Sequence, residues 1–129
     1  MMGSLNFAGK FTRCEVRLTP HLLESTYDFL RSTKPFSGWG LPEADEVEFH
    51  ITRHYDQMAD CGISDDGNHC IRVSERRVAH TLTLVVTMAH EMVHLYLDLI
   101  GDRGADHGVE FRKKWKCVCS HHGFDPLAR

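Results

Sequence analysis

Thr81-Leu82-Thr83-Leu84-Val85-Val86-Thr87-Met88-Ala89-His90-Glu91-Met92-Val93-His94-Leu95-Tyr96-Leu97 is the stretch that decides the fold. Leu82, Val85, Val86, Ala89, Val93, Leu97 and Ile100 recur at a period of 3.6, which predicts a long, heavily apolar helix running from about Glu75 to a stop at Gly101. A helix that apolar belongs in the middle of a domain. His90 and His94, four residues apart, project from one face and can bind one Zn²⁺ through their imidazole nitrogens. Glu91 stands beside that pair, where a carboxylate can take a proton from a metal-activated water, as in hydrolytic zinc sites.

A catalytic zinc site usually has three protein ligands and one open position. In metzincins a glycine three residues after the second histidine and a further histidine three later complete the set; here those positions are Leu97 and Ile100, so that continuation is excluded. Thermolysin-like sites use a glutamate on a later helix, and Glu110 is the only downstream glutamate. His107, in Asp106-His107-Gly108-Val109-Glu110-Phe111, is the better candidate. It follows a short turn through Gly101–Ala105 and falls in the first turn of a final helix that Asp106 can cap. The partial positive charge of a helix start also disfavours protonated imidazole, which cannot ligate. Glu110, Asp106 or no third protein ligand remain the alternatives.

Upstream, Thr19-Pro20 opens a helix marked by Leu22, Leu23, Thr26, Phe29 and Leu30 and ended by Pro35. Residues 36–42 read as a loop. Val47, Phe49 and Ile51 alternate with polar residues as in a half-buried strand, and a second extended piece runs from about Tyr55 to Ile63. Asp65-Asp66-Gly67-Asn68 is a turn, and Cys70–Ser74 is the return strand, expected to lie along the cleft and pair with an extended substrate. Downstream, Phe111, Trp115 and Val118 form the stripe of the last helix, ending near Gly123. The fold class is therefore α+β: a small antiparallel or mixed sheet with a hairpin, packed on the buried histidine helix, with helices at both ends.

At 129 residues the chain reads as one domain, residues 1–129, with ordinary contents of 42% hydrophobic and 26% charged residues. A net charge of -3 and a pI near 6.3 argue against a general electrostatic grip on nucleic acid. No apolar run approaches the roughly 20 residues that span a bilayer, and Met1–Phe7 carries no signal-peptide pattern. With five cysteines, an odd number, the expectation is reduced thiols and a cytoplasmic protein with no membrane association. Cys61 and Cys70 are taken as thiols flanking the hairpin turn. Cys117-x-Cys119-x-His121-His122 reads as core cysteine and terminal histidines, not a second metal site. Arg112-Lys113-Lys114-Trp115-Lys116, with Arg72, Arg76 and Arg77, offers a basic patch with an aromatic for single-stranded DNA, but reads rather as a solvated helix face with the indole turned inward.

Taken together, His90-Glu91-Met92-Val93-His94, about a dozen residues, and then His107-Gly108-x-x-Phe111 resemble a SprT-like zinc metallopeptidase domain of the Spartan type, with a core over about residues 45–120. The likeness extends to the strand–turn–strand with Cys61-Gly62 and Ile71–Ser74. The resemblance implies a zincin-like fold and a zinc-dependent peptidase acting on protein or peptide substrates, with His90, His94 and His107 on the metal and Glu91 as base. It also implies a link to DNA–protein crosslink processing, with a nucleoid or nuclear location if DNA-associated. The paired Cys-x-x-Cys knuckles and basic tail of some members are not in this sequence, so DNA as a partner has less support than the peptidase chemistry. The competing reading is a SprT-like module, inactive or weakly active, that binds DNA or a protein; the intact Glu91 stands against it.

Overall fold

A computed structural model of the chain describes residues 17–102 and 106–127. The N-terminal segment read above for a leader and the last three residues of the Gly101–Ala105 turn lie outside the described residues. In order, the elements are α1 (Pro20–Arg31), short 3₁₀ turns at Phe36–Gly38 and Ala44–Glu46, β1 (Glu48–Thr52), β2 (Ala59–Ile63), β3 (His69–Ser74), α2 (Thr81–Leu99) and α3 (Val109–His122). The architecture is α+β, as the periodicities predicted.

α1 starts where the sequence placed it, with Thr19 Oγ1 accepting from the Leu22 amide at 3.0 Å and Pro20 in the first position. Its buried face is Leu23, Tyr27 and Leu30, whereas Phe29, assigned to the stripe, is 61% exposed. Tyr27 was missed because its hydroxyl masks an apolar ring; buried, that hydroxyl donates to the Pro42 carbonyl at 2.7 Å. The helix ends at Arg31 rather than at Pro35, since the Thr33 hydroxyl donates to the Leu30 carbonyl and closes the last turn.

The sheet is mixed, in the order β1-β3-β2. β1 pairs with β3 in parallel, Phe49 opposite Ile71; β2 pairs with β3 as the expected antiparallel hairpin, Cys61 opposite Ile71. The central position of β3 corrects one expectation: both its edges are taken, so the strand ending at Ser74 cannot receive a substrate. Among the described residues the outer strands are β1 and β2, and β2 is the one that lines the cleft. One face of the sheet carries Phe49, Ile51, Ile71 and Val73 into the core, where the Phe49 ring lies 5.4 Å from Tyr27 of α1. The other face is polar, with Arg72 donating to its cross-strand neighbour Asp60 at 2.7 Å.

α2 begins at Thr81, six residues later than the periodicity suggested. Ser74 accounts for the delay. Its hydroxyl donates to the His54 carbonyl at 2.6 Å and accepts from the Arg76 amide, while its carbonyl accepts from Arg77 and Val78. Backbone groups satisfied by this turn have no need of a helix. From Leu84 to Leu97 α2 is buried on most sides, against α1, β2 and α3. Only the ends of the expected stripe surface, Leu82 at 69% and Ile100 at 57% exposure. Leu95, fully buried in the core one residue after His94, gives a direct check on this packing. Leu95→Ala is expected to cost about 2–5 kcal/mol of unfolding free energy in a denaturant titration, through lost transfer energy and a residual cavity.

Candidate metal centre

Five residues of α2 set the floor of a cleft. His90 and Glu91 are buried, at 3% and 2% exposure, and His94 is half-buried one turn on. β2 forms one wall through Ala59, Asp60, Cys61, Gly62 and Ile63, and the segment from Asp106 to Phe111 forms the other, enclosing about 700 Å³.

His107 does not sit in the first turn of α3, as the sequence suggested, but in the turn before it. Gly108 occupies the capping position, and no side chain caps the helix, so Asp106 does not have that role. Gly108 has φ −76°, which any residue can adopt. What fixes His107 is Arg112, whose guanidinium reaches back to donate to the His107 carbonyl at 2.8 Å. No sequence pattern announces that contact.

The outcome is convergence. His107 Nε2 stands 3.2 Å from His90 Nε2 and 3.2 Å from His94 Nε2. One ring nitrogen has either one proton or one lone pair, so it cannot complement both neighbours at once. A cation among the three nitrogens meets all their lone pairs together. These three histidines, with ligand atoms all within 4.8 Å of one another, could hold a metal ion, and they are the only such group among the described residues.

Behind the triad lies an aromatic backing. The Phe111 ring stacks on His94 at 4.5 Å and lies 4.6 Å from His107 and 4.8 Å from His90, while the Trp115 ring meets His90 at 5.2 Å. Rings packed this way hold the imidazoles aimed at one point, the pre-organisation a ligand set needs. Phe111 and Trp115 read from sequence as a core stripe; their second task is visible only once α3 crosses α2.

Of the other candidates, Asp106 brings carboxylate oxygens to 3.8 Å from His94 Nδ1 and 4.0 Å from His107 Nε2, beside the triad but beyond hydrogen-bond length. Glu110 lies on the first turn of α3 with its carboxylate 3.6 Å from Lys113, and it is not one of the converging groups. Tyr96 turns away from the triad and packs its ring 4.6 Å from Trp39. Cys61 faces the cleft as a protonated thiol, because burial first and the Glu91 carboxylate second push it well above the ordinary thiol range. Cys61, Cys70, Cys117 and Cys119 are all free thiols. Among the described residues the Cys117–His122 run joins no metal cluster, and Cys119 lies in the core.

The SprT-like family pattern matches residues 36–126, from the first 3₁₀ turn through the end of α3. The chain belongs to the SprT-like family. That match spans the whole sheet, both helices of the candidate centre and all three histidines, so the SprT-like assignment and the convergence describe the same part of the chain. Among curated proteins none matches the chain. No helix of the described residues is long and apolar enough to cross a membrane.

Proposed function

We propose that this SprT-like chain is a zinc-dependent metallopeptidase with a zincin-like site, in which His90, His94 and His107 hold the ion and Glu91 is the general base. The observation that carries the proposal is the spacing of the three Nε2 atoms. Two nitrogens each about 2.05 Å from one tetrahedral ion stand about 3.3 Å apart, which matches the 3.2 Å separations from His107. Three neutral imidazoles leave a fourth position open, the pattern of a catalytic rather than a structural zinc. Zinc held there supplies Lewis acidity, lowering the pKa of water towards neutrality and polarising a carbonyl oxygen.

The rest falls to the protein's own groups. Glu91 is next to a ligand in sequence, buried, and part of the cleft lining, so its carboxylate accepts the proton of the attacking water and passes it to the leaving amine. The edge of β2, running along the cleft, offers backbone groups to an extended peptide and holds it across the triad by strand addition. The proposed substrate is therefore a protein or peptide segment in extended form.

Removal of the metal is the direct test. Treatment with a strong chelator is expected to abolish hydrolysis of an unfolded protein substrate, and stoichiometric Zn²⁺ to restore it. Running the assay with and without single-stranded DNA decides whether DNA is a partner. Hydrolysis that survives complete removal of metal would sink the proposal.

A further inference from the structure

We propose that Thr87 is a positioning residue for Glu91, its hydroxyl donating a hydrogen bond that holds the carboxylate facing the water it deprotonates. The proposal rests on the peptidase reading and deepens it.

The buried polar and charged residues among those described are Ser74, Thr87, His90 and Glu91. The last three fall close together on α2, whose buried surface is otherwise apolar. A hydroxyl closed off from water needs a hydrogen-bond partner. Tyr27 and Ser74 have theirs in the Pro42 and His54 carbonyls. A helical threonine ordinarily turns its hydroxyl back to the carbonyl four residues before it, and Thr26 of α1 does so, donating to Leu22 at 2.8 Å. Thr87 does not. Its side chain is 0% exposed, yet its hydroxyl meets no hydrogen-bond partner among the described residues.

Helix geometry supplies an acceptor. Thr87 and Glu91 are four residues apart, so they share a face, with Cβ atoms about 5–6 Å apart. Helical side chains lean toward the N-terminus, which carries the Glu91 chain back over the turn that holds Thr87. An ionised carboxylate accepts at about four lone-pair sites, so it takes one more donor whatever else it meets. A bond to it is charge-assisted and roughly twice as strong as one to a neutral carbonyl. Threonine has two rotamers open to it in a helix, and rotation about χ1 alone brings the hydroxyl to the carboxylate. With one Glu91 oxygen held by Thr87, the other is left to the water in a fixed plane. Holding a base in its reacting geometry beforehand raises the rate without tightening substrate binding.

The test compares Thr87→Val, which keeps the shape and removes the hydroxyl, with Thr87→Ser, which keeps the hydroxyl. In the zinc-loaded chain Thr87→Val is expected to lower kcat about 10–100-fold, with KM and zinc affinity within about twofold of wild type. Thr87→Ser should recover most of the loss. Metal-free Thr87→Val should melt no lower than wild type, since it replaces an unpartnered hydroxyl by a methyl group. Wild-type kcat in Thr87→Val, or equal losses in both variants, overturns the proposal and leaves the peptidase reading intact. A fall in zinc affinity alongside kcat also overturns it, because Thr87 would then serve His90, three residues on. Hydrolysis by none of the chains, wild type included, overturns the peptidase reading instead. The contact is then judged in a crystal structure of the zinc-loaded wild type. Thr87 Oγ1 about 2.7 Å from a Glu91 oxygen supports it, and a hydroxyl turned to the Thr83 carbonyl ends it.

Discussion

Glu91→Gln in the zinc-loaded chain is expected to retain the metal and lose about 10²–10⁴-fold in kcat/KM on a peptide substrate, the contribution of a positioned general base. The two side chains have nearly the same shape, so the buried site of this residue, at 2% exposure, keeps its packing. The chemistry differs. A neutral amide cannot accept a proton from water at any useful pH, and the leaving amine then has no donor beside it. His90, His94 and His107 are untouched, so metal stoichiometry measured on the same sample should equal that of the wild type. A variant that binds zinc normally and hydrolyses as fast as wild type removes Glu91 from the mechanism. A wild type that binds zinc and hydrolyses nothing, with or without DNA, would favour the competing reading of a binding module.

How much of this was legible in the sequence depends on the range of the interaction. Thr19 as a cap, the Asp65–Asn68 turn, the β2–β3 hairpin and the histidine face of α2 are set within a few residues, and the sequence read them correctly. His107, which follows a short turn that limits where it can reach, does come to His90 and His94. Three errors share one cause. The start of α2 depends on Ser74 meeting His54, the position of β3 depends on β1 arriving in parallel, and the orientation of α1 depends on Tyr27 meeting Pro42. Each is a contact between distant segments that no local period encodes. The same holds within the site, where Arg112 and Phe111 orient His107 through the crossing of α3 over α2. Residue types and spacing therefore pointed to the candidate ligands, while the groups that aim them emerged only from packing.

That dependence on packing makes His107 the sharpest place to test the metal centre. His107→Ala is expected to weaken Zn²⁺ binding by more than about a hundredfold, since loss of a supporting partner of a ligand alone typically costs 10–100-fold. His90 and His94 would remain on a rigid helix, but two imidazoles leave half of the tetrahedral set to water. Competition against a chromophoric chelator measures the change directly. A second readout is thermal: metal that binds only the folded state raises the melting temperature, and that rise should vanish in the variant. Because His107 is about half exposed and lies in a turn, its removal opens no core cavity, so metal-free melting should stay close to wild type. The sequence left Glu110 and Asp106 open as third ligands, and matched variants separate them. Glu110→Gln is expected to keep zinc affinity within about threefold, since that carboxylate lies outside the converging set. Wild-type affinity in His107→Ala with a loss in Glu110→Gln would transfer the third position to the glutamate. Hydrolysis should follow the metal in every variant, because without the ion Glu91 has no activated water to deprotonate.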